Sequence, residues 1–319
     1  MNIISFLKKI FKIETQKVYP EINNNDTEKV LINWICKPID YYHWWPMKEK
    51  EENINDVYNN LYANGGGLSK YDNLFCTKGI EYQKNKYFRK YNSKKDDANW
   101  AGFCDCATIL GALWKHPLYP VKVIYNGKVE IFNVCDIEAL MIIASYNTVC
   151  PGKNIFLGRR FNGDRSDNKD EPYPIHLIDM LFKVCNDKLP FAIDIDNGTA
   201  VWNYPYNNVK VIEYNYLPKN NKYINLNNIP LTGKTKYYNF IIKSNAYFKQ
   251  NLNIWGWSNN TLNIITQGWL SDKHPDFIWK TFPKKLEWTG QCKLNSEVNA
   301  IHIYKIYKAS FKQNNVVVL

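Results

Sequence analysis

No apolar run in this 319-residue chain approaches the ~18 residues that a membrane span needs. No G-x-y period, heptad or longer repeat runs through it, which excludes collagen, coiled-coil and solenoid architectures. Cysteine is sparse for the length. The eight residues Cys36, Cys76, Cys104, Cys106, Cys135, Cys150, Cys185 and Cys292 are too few for a disulfide scaffold. None belongs to a C-x-x-C pair, so a structural zinc site of the usual spacing is not expected, and most of these thiols read as small buried hydrophobes. Histidine is scarcer still, with five residues. Met1–Ile13 lacks the order of a secretory signal, because its apolar residues are few and Lys8, Lys9 and Lys12 follow them. The expectation is a cytoplasmic chain or one exported by a non-classical route. At helical spacing Ile3, Leu7, Ile10 and Phe11 share one face of this segment, which can dock on its own domain or lie on a membrane surface.

What the chain does have is core-forming material. Hydrophobic residues make up 45% and aromatics 15%, which excludes disorder as the overall state. The length suits one large domain or two modest ones. The formal charge of +11 is unevenly spread. Residues 1–200 hold 26 Lys and Arg against 25 Asp and Glu, whereas residues 201–319 hold 15 against 5. The basicity belongs to the last third.

Periodicity supplies the elements. Residues 51–64 read as a helix ended by Gly65-Gly66-Gly67, and residues 84–98 as a polar loop. Cys104–His116 reads as a helix with the apolar stripe Ala107, Leu110, Leu113 and Trp114, stopped by Pro117. Val121–Tyr125 and Val129–Val134 flank Asn126-Gly127, a hairpin signal. Asp136 reads as the N-cap of a helix over Ile137–Ser145. An apolar run Ile175–Leu181 precedes a strand at Phe191–Ile195, and further strands are expected near 209–216, 237–243, 261–266 and 299–308. Helices come first and strands dominate later, which is an α+β pattern.

One cysteine stands apart. Trp100-Ala101-Gly102-Phe103-Cys104 ends a loop and Cys104 opens a helix. Unpaired N–H groups and the positive end of the helix dipole favour a thiolate there, and the N–H of Cys104 can hold an oxyanion on an attacked carbonyl. A thiol nucleophile needs a base. His116 lies twelve residues along the same helix, ~18 Å away at ~1.5 Å per residue, and cannot reach. His43 lies among Tyr41, Tyr42, Trp44 and Trp45; His274 precedes Pro275; His302 alternates within an expected strand. His176 remains, and eighteen residues later Asp194 is an acid within the apolar strand Phe191–Ile195, where a buried carboxylate should have a partner. Orienting an imidazole would supply one. Asp196 and Asn203 are the rival orienting residues. The order Cys, His, then Asp or Asn matches papain-like and transglutaminase-like thiol enzymes.

Seven stretches carry a resemblance. They are Trp44-Trp45-Pro46, Ser69-Lys70-Tyr71-Asp72, Trp100-Ala101-Gly102-Phe103-Cys104, Asp136-Ile137-Glu138-Ala139-Leu140, Phe156-Leu157-Gly158-x-Arg160-x-Asn162, Val201-Trp202-Asn203-x-Pro205 and His274-Pro275-Asp276-Phe277-x-Trp279. In this order they resemble the transglutaminase-elicitor family, known from oomycetes and with bacterial relatives. The resemblance implies a papain-like core and γ-glutamyl acyl transfer, with Cys104 as nucleophile, His176 as base and Asp194 as third member. Trp100 or Asn99 would join the Cys104 N–H in holding the oxyanion. The acyl donor would be a glutamine-containing protein and the acceptor an amine, lysine or a small one. This chain departs from the family pattern with Asp105-Cys106 after the nucleophile. Asp105 opposes a depressed thiol pKa, and Cys106 is a second thiol that can form a resting disulfide or pack.

Asn162–Glu171 concentrates oxygen donors, and Asp164, Asp167, Asp170 and Glu171 are candidate Ca²⁺ ligands although the spacing is not that of an EF-hand. The expected organisation is an amphipathic segment over 1–20, a catalytic core over 21–217 and a basic β-rich region over 218–319 packed on it. Two rivals use other chemistry. The same site can serve a papain-like cysteine protease or a glutamine deamidase. The basic last third, with Trp255, Trp257 and Trp269, can instead be a binding module for nucleic acid or an anionic surface, though no RNA-binding motif is present.

Overall fold

Asn126 and Gly127 turn the chain back on itself with positive φ values of 46° and 77°, the two-residue turn whose twist suits an antiparallel hairpin. A computed structural model describes residues 29–36, 39–47, 61–87, 101–146, 156–158, 174–186, 190–194, 203–214, 237–243, 246–247, 260–265, 268–269, 277–279 and 288–319. Among these residues the helices are α1 (Gly67–Phe75), α2 (Gly79–Tyr87), α3 (Cys104–Leu113), α4 (Val134–Ser145), α5 (Pro174–Asn186) and α6 (Ala300–Ala309). The early strands are β1 (Lys29–Ile35), β2 (Ile39–Asp40), β3 (Val121–Tyr125), β4 (Lys128–Phe132), β5 (Phe156–Gly158), β6 (Phe191–Asp194) and β7 (Tyr204–Tyr206). The later ones are β8 (Asn208–Tyr214), β9 (Tyr237–Lys243), β10 (Ala246–Tyr247), β11 (Asn260–Ile265), β12 (Gly268–Trp269), β13 (Phe277–Trp279) and β14 (Asn315–Val318).

Two cores organise these elements. The larger gathers α1, α3, α4 and α6 against the inner face of a sheet ordered β14-β3-β4. Leu110, Ile142, Val121, Phe132 and Ile303 are fully buried in it. The second packs Leu177, Ile178 and Leu181 of α5 against Phe191 and Ile193 of β6, Tyr206 of β7 and Val209 and Val211 of β8. β8 belongs to a sheet ordered β1-β8-β9-β11-β12, and β6 to one ordered β5-β13-β6-β7.

Several expectations change here. Residues 299–308 form α6, not a strand. Ala300, Ile303, Ile306 and Tyr307 are buried at helical spacing, and the Asn299 side chain accepts the N–H of Ile301 at 2.8 Å as an N-cap. The glycine run does not simply end a helix, because Gly67 opens α1; residues 51–60 lie outside the described residues. The helix opened by Cys104 stops at Leu113, with Trp114 already extended. The next helix starts at Val134 with Asn133 as N-cap. Asp136 is its third residue and accepts the N–H of Asn133 at 2.7 Å.

The stretch Ser69–Asp72 has structural work. Lys70 Nζ lies 2.6 Å from Asp136 Oδ2, joining α1 to α4. Tyr71 receives the N–H of Asn299 at 3.0 Å. Asp72 accepts the N–H groups of Gly79 and Ile80 at 2.7 and 2.8 Å and so caps α2. The C-terminal region is interleaved with what precedes it. β13 lies between β5 and β6, β9 pairs with β8, and α6 and β14 complete the larger core.

Glu138 of α4 is completely buried. One oxygen accepts the backbone N–H of His43, and the other lies 3.3 Å from His116 Nε2. His116 Nδ1 is 3.0 Å from the carbonyl of Pro117. Both ring nitrogens therefore face acceptors, an arrangement that favours the doubly protonated, charged ring over either neutral tautomer. Burial works against that charge, but the Glu138 carboxylate, the Pro117 carbonyl and Asp40 outweigh it and raise the His116 pKa. A raised histidine pKa gives stability that is complete below the ordinary value near 6.5 and fades as pH rises through the folded value. In urea titrations Glu138→Gln should cost about 3 kcal/mol at pH 6, the scale for stripping one partner from a buried pair. That cost should shrink at higher pH; an equal loss at all pH values would contradict the ionic pair.

Candidate active site

The site is assembled where the segment before β7 meets the start of α3. Phe103, the residue before α3, donates its N–H to the Trp44 carbonyl at 2.7 Å and to the Trp45 carbonyl at 3.2 Å. Gly102 pairs with Pro46, and a Cβ on it would overlap the Trp44 indole. Only glycine permits that approach. The aromatic segment thus fixes the chain immediately before Cys104, the first residue of α3.

Cys104 is 8% exposed. Asn203, directly before β7, donates Nδ2–H to its sulfur at 3.3 Å. Thr108 lies one helical turn beyond Cys104, on the same face, and its hydroxyl donates to the Asn203 carbonyl. Asp194, at the end of β6, is fully buried, and its charge acts on the thiol. β6 and β7 are antiparallel neighbours, with Ile193 opposite Tyr204, so Asp194 and Asn203 emerge from the same end of one strand pair.

The electrostatics oppose a resting thiolate. Burial pushes the Cys104 thiol up to about 11, with Asp105 and Asp194 adding to the rise and the side-chain and backbone donors of Asn203 offsetting part of it. Asp105 is itself raised by burial. The helix start alone therefore does not deliver the depressed thiol expected of it. Such a sulfur is a neutral thiol near pH 7 and needs its proton removed as it attacks.

The expected residues are distributed unevenly. Cys104, Asn203 and Asp194 share one neighbourhood. His176 is exposed, on α5 beside the residues that pack on β6, and the hydrogen bond described at the sulfur comes from an amide. Cys106 is fully buried, with Ser145 and Asp105 as its polar neighbours. Two positions along a helix point to different sides, and neither thiol is in a disulfide, so Cys106 packs. Among the other histidines, His43 and His116 belong to the Glu138 network, and His302 stacks on Phe75 with its Nδ1 3.1 Å from the Tyr71 hydroxyl. Asn99, Trp100, Asp196, His274 and the candidate calcium ligands Asp164, Asp167, Asp170 and Glu171 lie outside the described residues. Thr108 was missed by sequence reasoning. Its signal was available as a hydroxyl four residues after the nucleophile in an otherwise apolar turn.

No group of three or more His, Cys, Asp or Glu that could hold a metal ion occurs among the described residues. No helix among them is long and apolar enough to cross a membrane. No family model, curated protein or solved structure matches this chain.

The pKa assignment has a direct test. Because the Asp105 charge raises the thiol, Asp105→Asn should move the pH profile of Cys104 alkylation to lower pH. Rates measured by mass spectrometry of the Cys104 peptide would contradict the assignment if the profile stayed in place or moved up.

Proposed function

We propose that this chain is a thiol-dependent acyltransferase, a protein-glutamine γ-glutamyltransferase that uses Cys104 as nucleophile. The observation that supports it most is the Asn203 Nδ2–H donated to the Cys104 sulfur at the start of α3. A polar donor aimed at a buried sulfur, with a buried carboxylate alongside, is arrangement for chemistry at that atom.

The resembling stretches also meet in pairs. Pro46 bridges to Gly102, Lys70 pairs with Asp136, β5 aligns with β13, and Asn203 reaches Cys104. The Pro46–Gly102 bridge and the Asn203 donor bring three of these stretches to the Cys104 sulfur, which supports reading them as parts of one site.

In the proposed reaction His176 takes the thiol proton as Cys104 attacks the γ-carboxamide of a glutamine. The same imidazole then protonates the departing ammonia. Asp194 is the group that orients the imidazole. The resulting γ-glutamyl thioester passes to an amine, lysine or a small primary amine. Burial of Cys104 supports transfer over hydrolysis, because a site that limits water lets the amine compete.

Incubation with a glutamine-containing peptide and a labelled primary amine tests this. Incorporation is expected, with complete loss in Cys104→Ala and a loss of about 10²–10⁴-fold in His176→Ala. Ammonia release without incorporation would make the protein a deamidase, and peptide cleavage a protease. Full activity in His176→Ala would mean that another group is the base.

A further inference from the structure

We propose that Asn203 is the oxyanion donor of this site, and that Thr108 is the positioning residue that holds it there. The inference rests on Cys104 being an acyl-transfer nucleophile, and it gives Asn203 a role different from orienting an imidazole.

The distance decides between the two roles. In a relay of nucleophile, base and orienting residue, the imidazole lies between the other two. The orienting atom is then on the order of 7 Å from the sulfur, two hydrogen bonds and a ring width away. Asn203 Nδ2 is 3.3 Å from that sulfur. The chemistry of the atom agrees. Orienting an imidazole takes an acceptor, which in asparagine is Oδ1, whereas the atom that meets the sulfur is the donor Nδ2. What a donor beside a nucleophile can stabilise is negative charge, on the sulfur or on the atom about to bear it.

That second atom is close by. When the sulfur adds to a carbonyl carbon, the S–C bond forms and the π pair of the C=O bond moves to oxygen. The new oxyanion stands one bond beyond the attacked carbon, within reach of a group that was already touching the sulfur. The backbone N–H of Cys104, in the first turn of α3, is the second donor, as these N–H groups have no acceptor within the helix. Collapse of the oxyanion re-forms C=O and expels the leaving group with its pair, leaving the thioester.

Thr108 sets the donor's position. It is buried on α3 one turn after Cys104, and its hydroxyl binds the carbonyl of Asn203 itself. The donor's backbone and the sulfur are therefore referenced to the same helix turn. Movement of the segment carrying Asn203 would disturb the Thr108 bond and the alignment at sulfur together.

Two reagents on the full chain separate stabilisation of an oxyanion from ionisation of the thiol. Iodoacetamide alkylates sulfur at a saturated carbon, expels iodide and forms no oxyanion. p-Nitrophenyl acetate acylates it through an oxyanion and expels p-nitrophenolate. Asn203→Ala, and Asn203→Asp, which keeps the shape but loses the N–H, should each slow acylation of Cys104 by about 10²–10³-fold. Alkylation, expressed per thiolate from each variant's own pH profile, should stay close to wild type. Thr108→Val should slow acylation about tenfold, the scale of one lost hydrogen bond, and Thr108→Ser should restore it. Equal loss of both reactions, or unchanged acylation in Asn203→Asp, would overturn the inference. Selective loss of acylation in a protein that never incorporates amine would support the oxyanion role and reject the transferase reading. A wild-type Cys104 that reacts with neither reagent would reject both.

Discussion

The buried carboxylate of Glu138 is the constraint on which the site depends. A lone charge in a core costs several kcal/mol, so a fully buried Glu demands partners on every side. It finds them in two chain segments distant from its own helix: the N–H of His43 and the ring of His116. That requirement pins the aromatic segment 41–46 to α4 and to the residues following α3. Trp44 and Trp45 then offer their carbonyls to Phe103, one residue before Cys104. The position of Cys104 is thus tied, through the 41–46 segment, to a buried carboxylate elsewhere in the core.

The placement of the thiol sets a conflict that the rest of the site has to manage. Burial limits water, which suits acyl transfer, but it also raises the thiol pKa, and Asp105 and Asp194 push in the same direction. Helix-start N–H groups are too weak a counterweight on their own, since a helix end contributes on the order of 1 kcal/mol. One pKa unit is about 1.4 kcal/mol, so burial and two nearby carboxylates readily exceed that. Donors from Asn203 are the local compensation, and in the proposed reaction a base acting at the moment of attack supplies the rest. A protonated resting thiol also protects the sulfur from unproductive reaction, because the thiolate is the reactive form.

How much of this was legible in the sequence depended on whether the signal was local. The Asn126-Gly127 hairpin, the helix from Cys104 and the strand at Phe191 were legible because turn chemistry and periodicity act over a few residues. Residues 299–308 misled because Ile301, Ile303 and Tyr307 fit period 2 while Ile303, Ile306 and Tyr307 fit the helical spacing, and only packing against the larger core selects the helix. Asp136 was identified as a helix-start residue but set at the wrong position, since the capping box uses both Asn133 and Asp136. Within the site, Cys104 and Asp194 were readable as a helix-start thiol and an acid in an apolar strand. The contact of Asn203 with the sulfur was not, because it depends on the β6–β7 pairing that carries a residue 99 positions away onto α3.

The same non-local pairing bears on the basic last third. A separable binding module would keep its strands to itself. Here β13 lies between β5 and β6, directly beside the strand that ends in Asp194, with Phe277 opposite Asp194 in register. β9 extends the sheet through β8, and β8 follows β7 after a single residue, Asn207. Removing residues beyond 217 would therefore strip β13 from the strand bearing Asp194 and expose the edge of β8. The strands of that third are thus part of the framework that carries Asp194 and Asn203. That third is therefore built into the same sheets as the candidate site and is not a unit set apart from it.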